Sequence, residues 1–540
     1  MAAVARKAIN ETKKNTDKQQ DVRLSNISAA KAVADCVRTS LGPRSMDKMI
    51  IHPKEGVTVS NDGATIMSKL EVMHPAAKML VDLSRAQEVE AGDGTTSVVV
   101  ICGALLRAVE ELLQKGIHPM QISECFQNCA RLAEQVLEEM SIPINIDNRE
   151  MLIQAAVTSL NSKIIGQNAD IFAPMAVDAV LQVMKDNSDV DLKNVKVVSA
   201  LGGTIEDTTL MSNGTIFLQK ASHSAGGKVR IEKATIALIQ FQLSPPKTDM
   251  ESTVTMTDYT QMDRVAKETR AYLLKLCKQI KDAGVNVLLI QKSVLRDAVT
   301  PQSLDFLAKM GIMTVTNIER NDIDFITRTL GCLPVANIDN LKPEKFGHAD
   351  SVVQESTPSG KIIRVTGVQT PPESSPAHSI FGKTVTVFIR GTNEMMLEEA
   401  KRSFDDALCV IRSIVKKRAL IAGGAAPEVE IAIKLGKYSR QHAEGYQTFC
   451  MRSYADAFEV VPYTLAENAG LQPINIVTEL RNCHAQGNSN FGVNVRRGCA
   501  TDMVAEKVVQ PLLVSVSAVK LATECVMMIL KIDDVIPTRN

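Results

Sequence analysis

The sequence predicts a multidomain α+β protein in which two helical segments enclose an α/β insertion. The chain has 540 residues, which is too long for a single hydrophobic core. Apolar residues recur at helical spacing through the first and last thirds of the chain. Between about residues 217 and 382, short buried strands alternate with helices instead. A small segment lies on each side of that insertion, so the predicted order is helical, small, α/β, small and helical.

The first helical segment covers residues 25–148. Ser28 is the candidate N-cap of its first helix. Val57–Ser60 alternates like a strand and leads into Asn61-Asp62-Gly63, a strong signal for a tight turn. Residues 1–24 are rich in Lys, Asn and Gln and lack an apolar stretch, so we expect a disordered tail rather than a targeting signal.

The insertion is predicted to contain a parallel sheet built as a βαβα unit. Its elements are Ile231–Phe241, Asn286–Ile290, Leu295–Met310, Met313–Ile318 and Arg320–Leu330. The polar segment from Met250 to Arg270 continues into a long helix, and Gln369–Ser379 is a Ser/Pro-rich loop. In the last third, Glu394–Lys417 is predicted to be a long helix, and Gly423–Glu428 turns into another helix with Pro427 near its first position.

The composition excludes several classes of protein. Lys plus Arg and Asp plus Glu both number 61, which argues against a generic binder of nucleic acids or anionic membranes. Tryptophan is absent and aromatic residues make up 4%, so base-stacking platforms are scarce. The eleven cysteines lack metal-ligand spacing, which favours reduced thiols. The longest apolar runs, Val98–Leu106 and Pro511–Leu521, are shorter than the roughly 20 residues of a membrane span, so we expect a soluble protein.

The stretch Ala91-Gly92-Asp93-Gly94-Thr95-Thr96-Ser97 precedes an apolar helix and is a candidate phosphate site. Glycines let the backbone approach a ligand, and the free N–H groups at a helix start attract an anion. Asp93 would repel phosphate unless a cation lay between them, so the stretch predicts Mg²⁺ together with a nucleotide. The alternative is an ordinary helix that Asp93 or Thr95 caps.

Two further acids and a lysine have open interpretations. Asp62 is the residue type that the Asn-Asp-Gly turn requires. Together with Asp93, however, it would give one phosphate site two carboxylates, one to hold Mg²⁺ and one to orient a water. The local pattern favours a solvated cation at Lys163 and, at Asp406, a solvated helix residue beside Asp405.

Five motifs in the same order resemble those of the group II chaperonins. They are Thr39–Met49, Asn61–Ile66, Gly92–Ser97, Asp406–Leu408 and Gly423–Glu428. The resemblance covers nearly the whole chain. It implies the chaperonin fold and a cytoplasmic, hetero-oligomeric complex of two stacked rings, each of eight paralogous subunits. The rings would enclose non-native proteins such as actin and tubulin, which fold as ATP is hydrolysed.

The resemblance also implies domain boundaries. The helical equatorial domain, which binds ATP, would comprise 25–148 and 405–540, the small intermediate hinge domain 149–216 and 383–404, and the α/β apical domain 217–382. Residues 247–270 resemble the helical protrusion that forms the family's lid. The helix Arg320–Leu330 resembles the client-binding helix, although a cover helix of an α/β sheet fits its pattern equally well.

Site residues follow from the resemblance as well. Asp93 is similar to the acid that holds Mg²⁺, and Gly94, Thr95, Thr96 and Ser97 to the phosphate loop. Asp406 is similar to the acid that activates the attacking water, and Asp62 to a second acid that helps to position it.

Three other groups complete the implied nucleotide site. Leu41, Gly42 and Pro43 resemble the loop that touches the α- and β-phosphates, and Lys163 matches a lysine that senses the γ-phosphate. Gly424 falls in the loop near the ribose and base.

The chain departs from the family pattern at three positions. Ser45 and Ala425 each replace a glycine, and Gln510 stands where many relatives have an acid near the ribose. Two other classes of function remain as alternatives. A metabolic phosphotransferase would need its own acid/base pair, which the sequence does not display. A ring subunit with a mainly structural role and little ATP turnover would keep the fold.

Overall fold

A computed structural model of the chain describes residues 22–52, 56–184, 190–222, 227–245, 258–293, 297–358, 360–369 and 381–535. These residues form two compact units. The helical unit combines the chain up to Val177 with the chain from Arg402 onward. The sheet unit comprises Val190–Lys401 and the short stretch that begins at Asp178.

The described helices are mostly amphipathic or buried. The α-helices are α1 (22–38), α2 (Gly63–Lys69), α3 (Pro75–Glu90), α4 (Thr95–Gln114), α5 (Pro119–Glu139), α6 (Arg149–Leu160), α7 (Ala169–Val183), α8 (Tyr259–Asp282), α9 (Pro301–Lys309), α10 (Ile323–Leu330), α11 (Glu394–Lys416), α12 (Ala426–His442), α13 (Tyr446–Phe458), α14 (Val460–Asn468), α15 (Pro473–Ala485) and α16 (Leu512–Lys531). Short 3₁₀ helices cover Ile164–Asn168, Leu192–Asn194, Ile205–Asp207, Arg320–Asp322, Ile338–Asn340 and Pro343–Lys345.

The described strands belong to five sheets of two to seven strands each. They are β1 (Lys48–His52), β2 (Gly56–Ser60), β3 (Ile142–Pro143), β4 (Val195–Leu201), β5 (Thr209–Met211), β6 (Gly214–Phe217), β7 (Arg230–Ile239), β8 (Val287–Gln291), β9 (Met313–Ile318), β10 (Pro334–Val335), β11 (Gly347–Thr357), β12 (Gly360–Val368), β13 (Val385–Gly391), β14 (Ala419–Ala422), β15 (Phe491–Asn494), β16 (Cys499–Asp502) and β17 (Val509–Pro511). In the helical unit, β1 pairs with β2, β15 with β16, and β14 lies between β17 and β3.

The core of the helical unit is built around α4. Its stretch Val98–Leu106 is buried on every side, which a helix at the centre of a bundle requires. It packs with α16, α5, α3 and α13, where Phe126 and Tyr454 meet edge to face at 5.0 Å between ring centroids. By length and composition alone α16 could cross a membrane, but 67% of its apolar window is buried, as in a core helix.

The sheet unit contains the predicted parallel strands. Its large sheet has the order β6-β12-β11-β7-β8-β9, with β10 beside β7, and β7, β8 and β9 run parallel. Side chains alternate across β7. Ile236 and Leu238 pack with α10, whereas Ala237 and Ile239 pack with α8 and α9. The βαβα prediction is therefore confirmed. A second sheet has the order β4-β13-β5.

Three predicted boundaries were wrong. Asn61-Asp62-Gly63 does not form a hairpin turn; the hairpin pairs β1 with β2, and Asp62 is the N-cap of α2. Ser28 lies inside α1, because the buried stripe already begins at Ile27. Helix α9 begins at Pro301, since Thr300 caps it and Pro301 suits a first turn, and residues 297–300 before it are not helical. The predicted start, Leu295, lies outside the described residues.

Some predictions fall outside the described residues. These are residues 1–21 of the N-terminal tail, residues 247–257 of the lid segment, and residues 370–379 of the Ser/Pro-rich loop. All eleven cysteines are free thiols, as expected. The predicted three-domain division stays a prediction.

Candidate nucleotide site

A cavity of about 710 Å³ opens within the helical unit. All but one of the predicted site residues line it, namely Leu41, Gly42, Pro43, Asp62, Asp93, Gly94, Thr95, Thr96, Ser97, Lys163, Gly424 and Gln510. Asp406 is not a lining residue, but its carboxylate contacts Lys163, which is. Residues from seven separate stretches of the chain therefore meet at one place.

The stretch before α4 has the geometry of an anion site. Gly92 and Gly94 both have φ +73°, in the left-handed region that favours glycine. Gly94 is the N-cap of α4 and offers no side chain to the first-turn N–H groups. Asp93 is turned to its neighbour instead, since its Oδ1 accepts from the Gly94 N–H at 2.7 Å. The capped-helix alternative is thus wrong, and the start of α4 keeps free donors for a ligand.

Helix α11 packs directly against this stretch. A Cβ at Gly92 would lie 2.1 Å from the Cβ of Cys409, so only glycine allows the two backbones to come this close. The Ser413 hydroxyl donates to the Ala91 carbonyl at 2.9 Å in a buried position. Cys409 and Ser413 share one face of α11 with Asp406, at spacings of three and four residues. The contacts that seat the loop therefore also orient Asp406.

Both carboxylate oxygens of Asp62 accept hydrogen bonds from neighbouring groups. Its Oδ2 accepts from the backbone N–H and the hydroxyl of Thr65 at 2.9 and 2.7 Å, and its Oδ1 accepts from Ala64 N–H and the Thr95 hydroxyl at 3.3 and 3.1 Å. The Nζ of Lys163 lies 3.9 Å from the same Oδ1. A carboxylate has about four acceptor sites, so Asp62 mainly fixes Thr95 and Lys163 in place.

Lys163 lies between two carboxylates. Its Nζ is 2.8 Å from Asp406 Oδ2, and its side chain is only 10% exposed. Burial alone would lower the pKa of Lys163, but Asp406 and Asp62 outweigh it and raise that pKa, so the lysine stays protonated. The prediction of a solvated cation at Lys163 from its local pattern is wrong.

The Asp406 carboxylate is largely enclosed, with 19% of its side chain exposed, and it is short of compensating charge. Burial raises the pKa of its carboxyl to about 8, and Asp62 and Asp93 add to this, although Lys163 opposes it. Asp405, the adjacent residue, is exposed. The solvated interpretation of Asp406 is therefore wrong, because its carboxylate pairs with Lys163. The pKa of Asp62 shifts in the opposite direction. Burial raises it, but the charge of Lys163 and the hydrogen bonds from Thr65 and Thr95 together outweigh burial, so the pKa of Asp62 is lowered.

The donor set fits a divalent cation held jointly with phosphate. Three carboxylates, those of Asp62, Asp93 and Asp406, share one lysine, and the raised pKa of Asp406 reflects this excess of negative charge. In the described part of the chain, no cluster of three or more His, Cys, Asp or Glu side chains could hold a metal by itself. Mg²⁺ characteristically needs only one or two carboxylates plus phosphate oxygens and water.

Another wall of the cavity is more apolar. Gly424 has φ +67°, and a Cβ there would lie 2.8 Å from the sulfur of Met503, so the backbone is pressed against that side chain. Ala425 follows at φ +63°. Gln510 donates from Nε2 to the Ser515 hydroxyl at 2.8 Å, and this hydrogen bond fixes the orientation of its side chain.

Sequence reasoning missed three residues here. Cys409 and Ser413 support the loop as described, and helical spacing from Asp406 was the available signal. Glu428 ends the motif Gly423–Glu428, which did not predict a role for it; it lines the cavity, and its Oε2 has no hydrogen-bond partner among the described residues.

The model of the TCP-1/cpn60 chaperonin family matches residues 33–540. The chain belongs to the TCP-1/cpn60 chaperonin family. Among its relatives, the T-complex protein 1 subunit delta of Caenorhabditis elegans is 56% identical over 99% of this chain and 98% of the relative. The proteins of the same name from Arabidopsis thaliana and Homo sapiens are 52% and 54% identical, over 100% and 97% of this chain and 99% and 95% of theirs.

These relatives confirm the chaperonin resemblance drawn from the five motifs. Each of them matches almost end to end, so the chaperonin family accounts for the sheet unit as well as for the helical unit. The client-binding role of Arg320–Leu330 stays a prediction. Six of the eight residues of α10 are buried in the sheet unit, and Arg328 donates to Asn194 at 2.7 Å, as a cover helix would.

Proposed function

We propose that this chaperonin-family chain is an ATP-hydrolysing subunit of a cytoplasmic, hetero-oligomeric double ring that encloses and folds non-native proteins of the actin and tubulin class. The observation that carries the proposal is the Lys163 ammonium group held between Asp406 and Asp62, at the cavity that Gly94–Ser97 lines. The delta-subunit names of the relatives support membership of a complex with paralogous subunits.

In the proposed site, the N–H groups of Thr96 and Ser97 at the start of α4 bind phosphate oxygens. Leu41, Gly42 and Pro43 contact the α- and β-phosphates from the opposite loop. Asp93 would hold Mg²⁺, which when bound neutralises phosphate charge as the terminal bond breaks.

Asp406 is the proposed general base. Once it is ionised, a carboxylate whose pKa is raised to about 8 takes up a proton from an attacking water more readily than an ordinary aspartate does. Asp62 acts as a positioning residue, because its acceptor sites are already occupied by Thr65, Ala64 and Thr95. Its charge helps to keep Lys163 protonated.

Lys163 is the proposed sensor of the γ-phosphate. A terminal phosphate would compete with Asp406 for its ammonium group, and loss of that phosphate would return the lysine to the carboxylate 2.8 Å away. Gly424 and Gln510 would lie along the ribose and base.

The test is ATP hydrolysis by the intact assembly that contains this chain. We expect Asp406→Asn to abolish this chain's contribution, since it removes the base while keeping the shape. The matched control is Asp405→Asn, which changes the exposed neighbour in the same way and should hydrolyse ATP like the wild type. Hydrogen exchange of residues 92–97 reports nucleotide binding at this chain specifically. Binding without any loss of turnover in Asp406→Asn would instead favour a ring subunit with a mainly structural role.

A further inference from the structure

Glu428 is a carboxylate of the cavity that nothing in the phosphate chemistry uses. It lies in the first turn of α12, four residues after Gly424, and it lines the cavity. Its Oε2 is inaccessible to bulk water and has no hydrogen-bond partner in the described chain. A buried acceptor without a partner normally costs about 1–3 kcal/mol and calls for an explanation.

An ordinary helix-capping role does not account for it. An acid in a first turn usually interacts with the free N–H groups or reaches back to the N-cap. Burial raises the pKa of the Glu428 carboxyl to about 7, although a hydrogen bond from its own backbone N–H lowers it. The helix thus leaves one oxygen unsatisfied.

Glu428 follows the apolar wall of the cavity rather than the phosphate loop along the chain. It comes four residues after Gly424, which packs against Met503, and both Gly424 and Glu428 line the cavity. The pKa of Lys163 responds to Asp406, Asp62 and Asp93, whereas burial raises the pKa of Glu428. A second lining acid, Glu506, is already paired with Arg497 at 2.9 Å.

We propose that Glu428 is a specificity residue of this site, which accepts a hydrogen bond from a neutral donor of the bound nucleoside, either a ribose hydroxyl or the amino group of adenine. This inference rests on the proposed nucleotide site. In this chain, position 510 carries an amide, which donates to the Ser515 hydroxyl. The carboxylate that contacts the nucleoside is therefore assigned to Glu428. Both possible donors are uncharged, and either would satisfy the orphan oxygen.

The experiment measures ADP, 2′-deoxy-ADP, 3′-deoxy-ADP and inosine diphosphate binding to the intact assembly, so that hydrolysis plays no part. Occupancy is read from hydrogen exchange of residues 92–97, which isolates this chain from any other subunit. We expect one analogue, the one lacking the donor that Glu428 uses, to bind the wild type about 10- to 100-fold more weakly than ADP. Loss with a deoxy analogue identifies the ribose, and loss with the inosine compound identifies the base.

Glu428→Met, which removes both acceptor oxygens at nearly the same side-chain length, should weaken ADP by a similar factor and bind that analogue no more weakly than the wild type does. Glu506→Met, the matched control, should bind all four nucleotides like the wild type. The inference is overturned if Glu428→Met leaves ADP affinity unchanged, if it weakens every nucleotide equally, or if the wild type does not distinguish the analogues. Absence of any ADP binding to the wild type would instead refute the proposed function.

Discussion

The Nζ atom of Lys163 lies 2.8 Å from Oδ2 of Asp406, and this contact joins two segments that are separated by more than two hundred residues. The lysine is the positive charge that opposes the rise of the Asp406 pKa. Its own pKa is raised by the same carboxylate. The two groups therefore set the protonation state of the site together.

Replacement of Lys163 by methionine should move the pH dependence of ATP hydrolysis. Without the ammonium group the pKa of Asp406, already about 8, rises further, so a higher pH is needed to ionise the proposed base. We expect the acidic limb of kcat to shift upward by roughly one to two pH units. The measurement is kcat at saturating ATP between about pH 6 and pH 10. The control Lys416→Met removes an exposed lysine that pairs with Glu90, and its limb should stay in place. If the acidic limb of kcat in Lys163→Met is unchanged or moves to lower pH, Asp406 is not a base whose pKa Lys163 lowers.

The backbone geometry of the loop before α4 could be predicted from the sequence because its determinants are local. Gly92 and Gly94 adopt the left-handed conformation that glycine favours, whereas the binding of phosphate by this loop stays a prediction. The burial of Asp406 could not be predicted in this way, since Asp405 and Asp406 are adjacent and identical. Which of them faces inward depends on the packing of α11 against Ala91 and Gly92, a contact across more than three hundred residues.

Asp62 shows the same limit for the fold. Asn-Asp-Gly suits a tight hairpin turn and also the junction at which a strand ends and a helix begins, because aspartate both favours turns and caps helices. Only the partners decide between them. A Cβ at Gly63 would lie 2.7 Å from the Thr96 N atom, so this junction is pressed against the start of α4. The elements were mostly predictable from their apolar periods, whereas the contacts between distant segments were not.

The contact between Gly92 and Cys409 predicts a large effect of one methyl group. Gly92→Ala would place a Cβ 2.1 Å from the Cys409 Cβ and would also force φ +73° on alanine. We expect the free energy of unfolding to fall by about 3 kcal/mol or more. We also expect nucleotide binding to be lost, because the loop that contains Asp93 must move away from α11. The measurements are the apparent melting temperature and nucleotide protection of residues 92–97.

Gly116→Ala separates the two causes of that loss. Gly116 has φ +83°, but a Cβ there would meet nothing within 4 Å, so it reports backbone strain alone. We expect it to cost only about 1–2 kcal/mol and to leave nucleotide binding intact. Equal effects of the two substitutions would mean that the close approach to Cys409 is unimportant.

Glu428 should make the nucleotide-free protein less stable as the pH rises. Burial raises its folded-state pKa to about 7 from an ordinary value of 4.5, so its protonated form is favoured by folding. Its contribution is therefore fully present below about pH 4.5 and is lost as the pH rises toward 7, by up to about 3 kcal/mol. Glu428→Gln has no proton to lose. The variant should match the wild type in apparent melting temperature near pH 5 and exceed it near pH 8. A difference that is independent of pH would show that the carboxyl is not desolvated as described.

Ala425 provides the opposite case, a position where removing a methyl group should stabilise the protein. It adopts φ +63° at the N-cap of α12, in the left-handed region that costs an alanine about 1 kcal/mol. Glycine accepts this conformation freely but loses more entropy on folding, so we expect Ala425→Gly to gain about 0.5 kcal/mol or slightly more. The control is Ala426→Gly, the same change one residue later, at the fully buried first position of α12. There the backbone is already helical, so the glycine should lower the stability by about 1 kcal/mol. Chemical unfolding of both variants measures the two changes, and effects of the same sign would show that Ala425 is not strained.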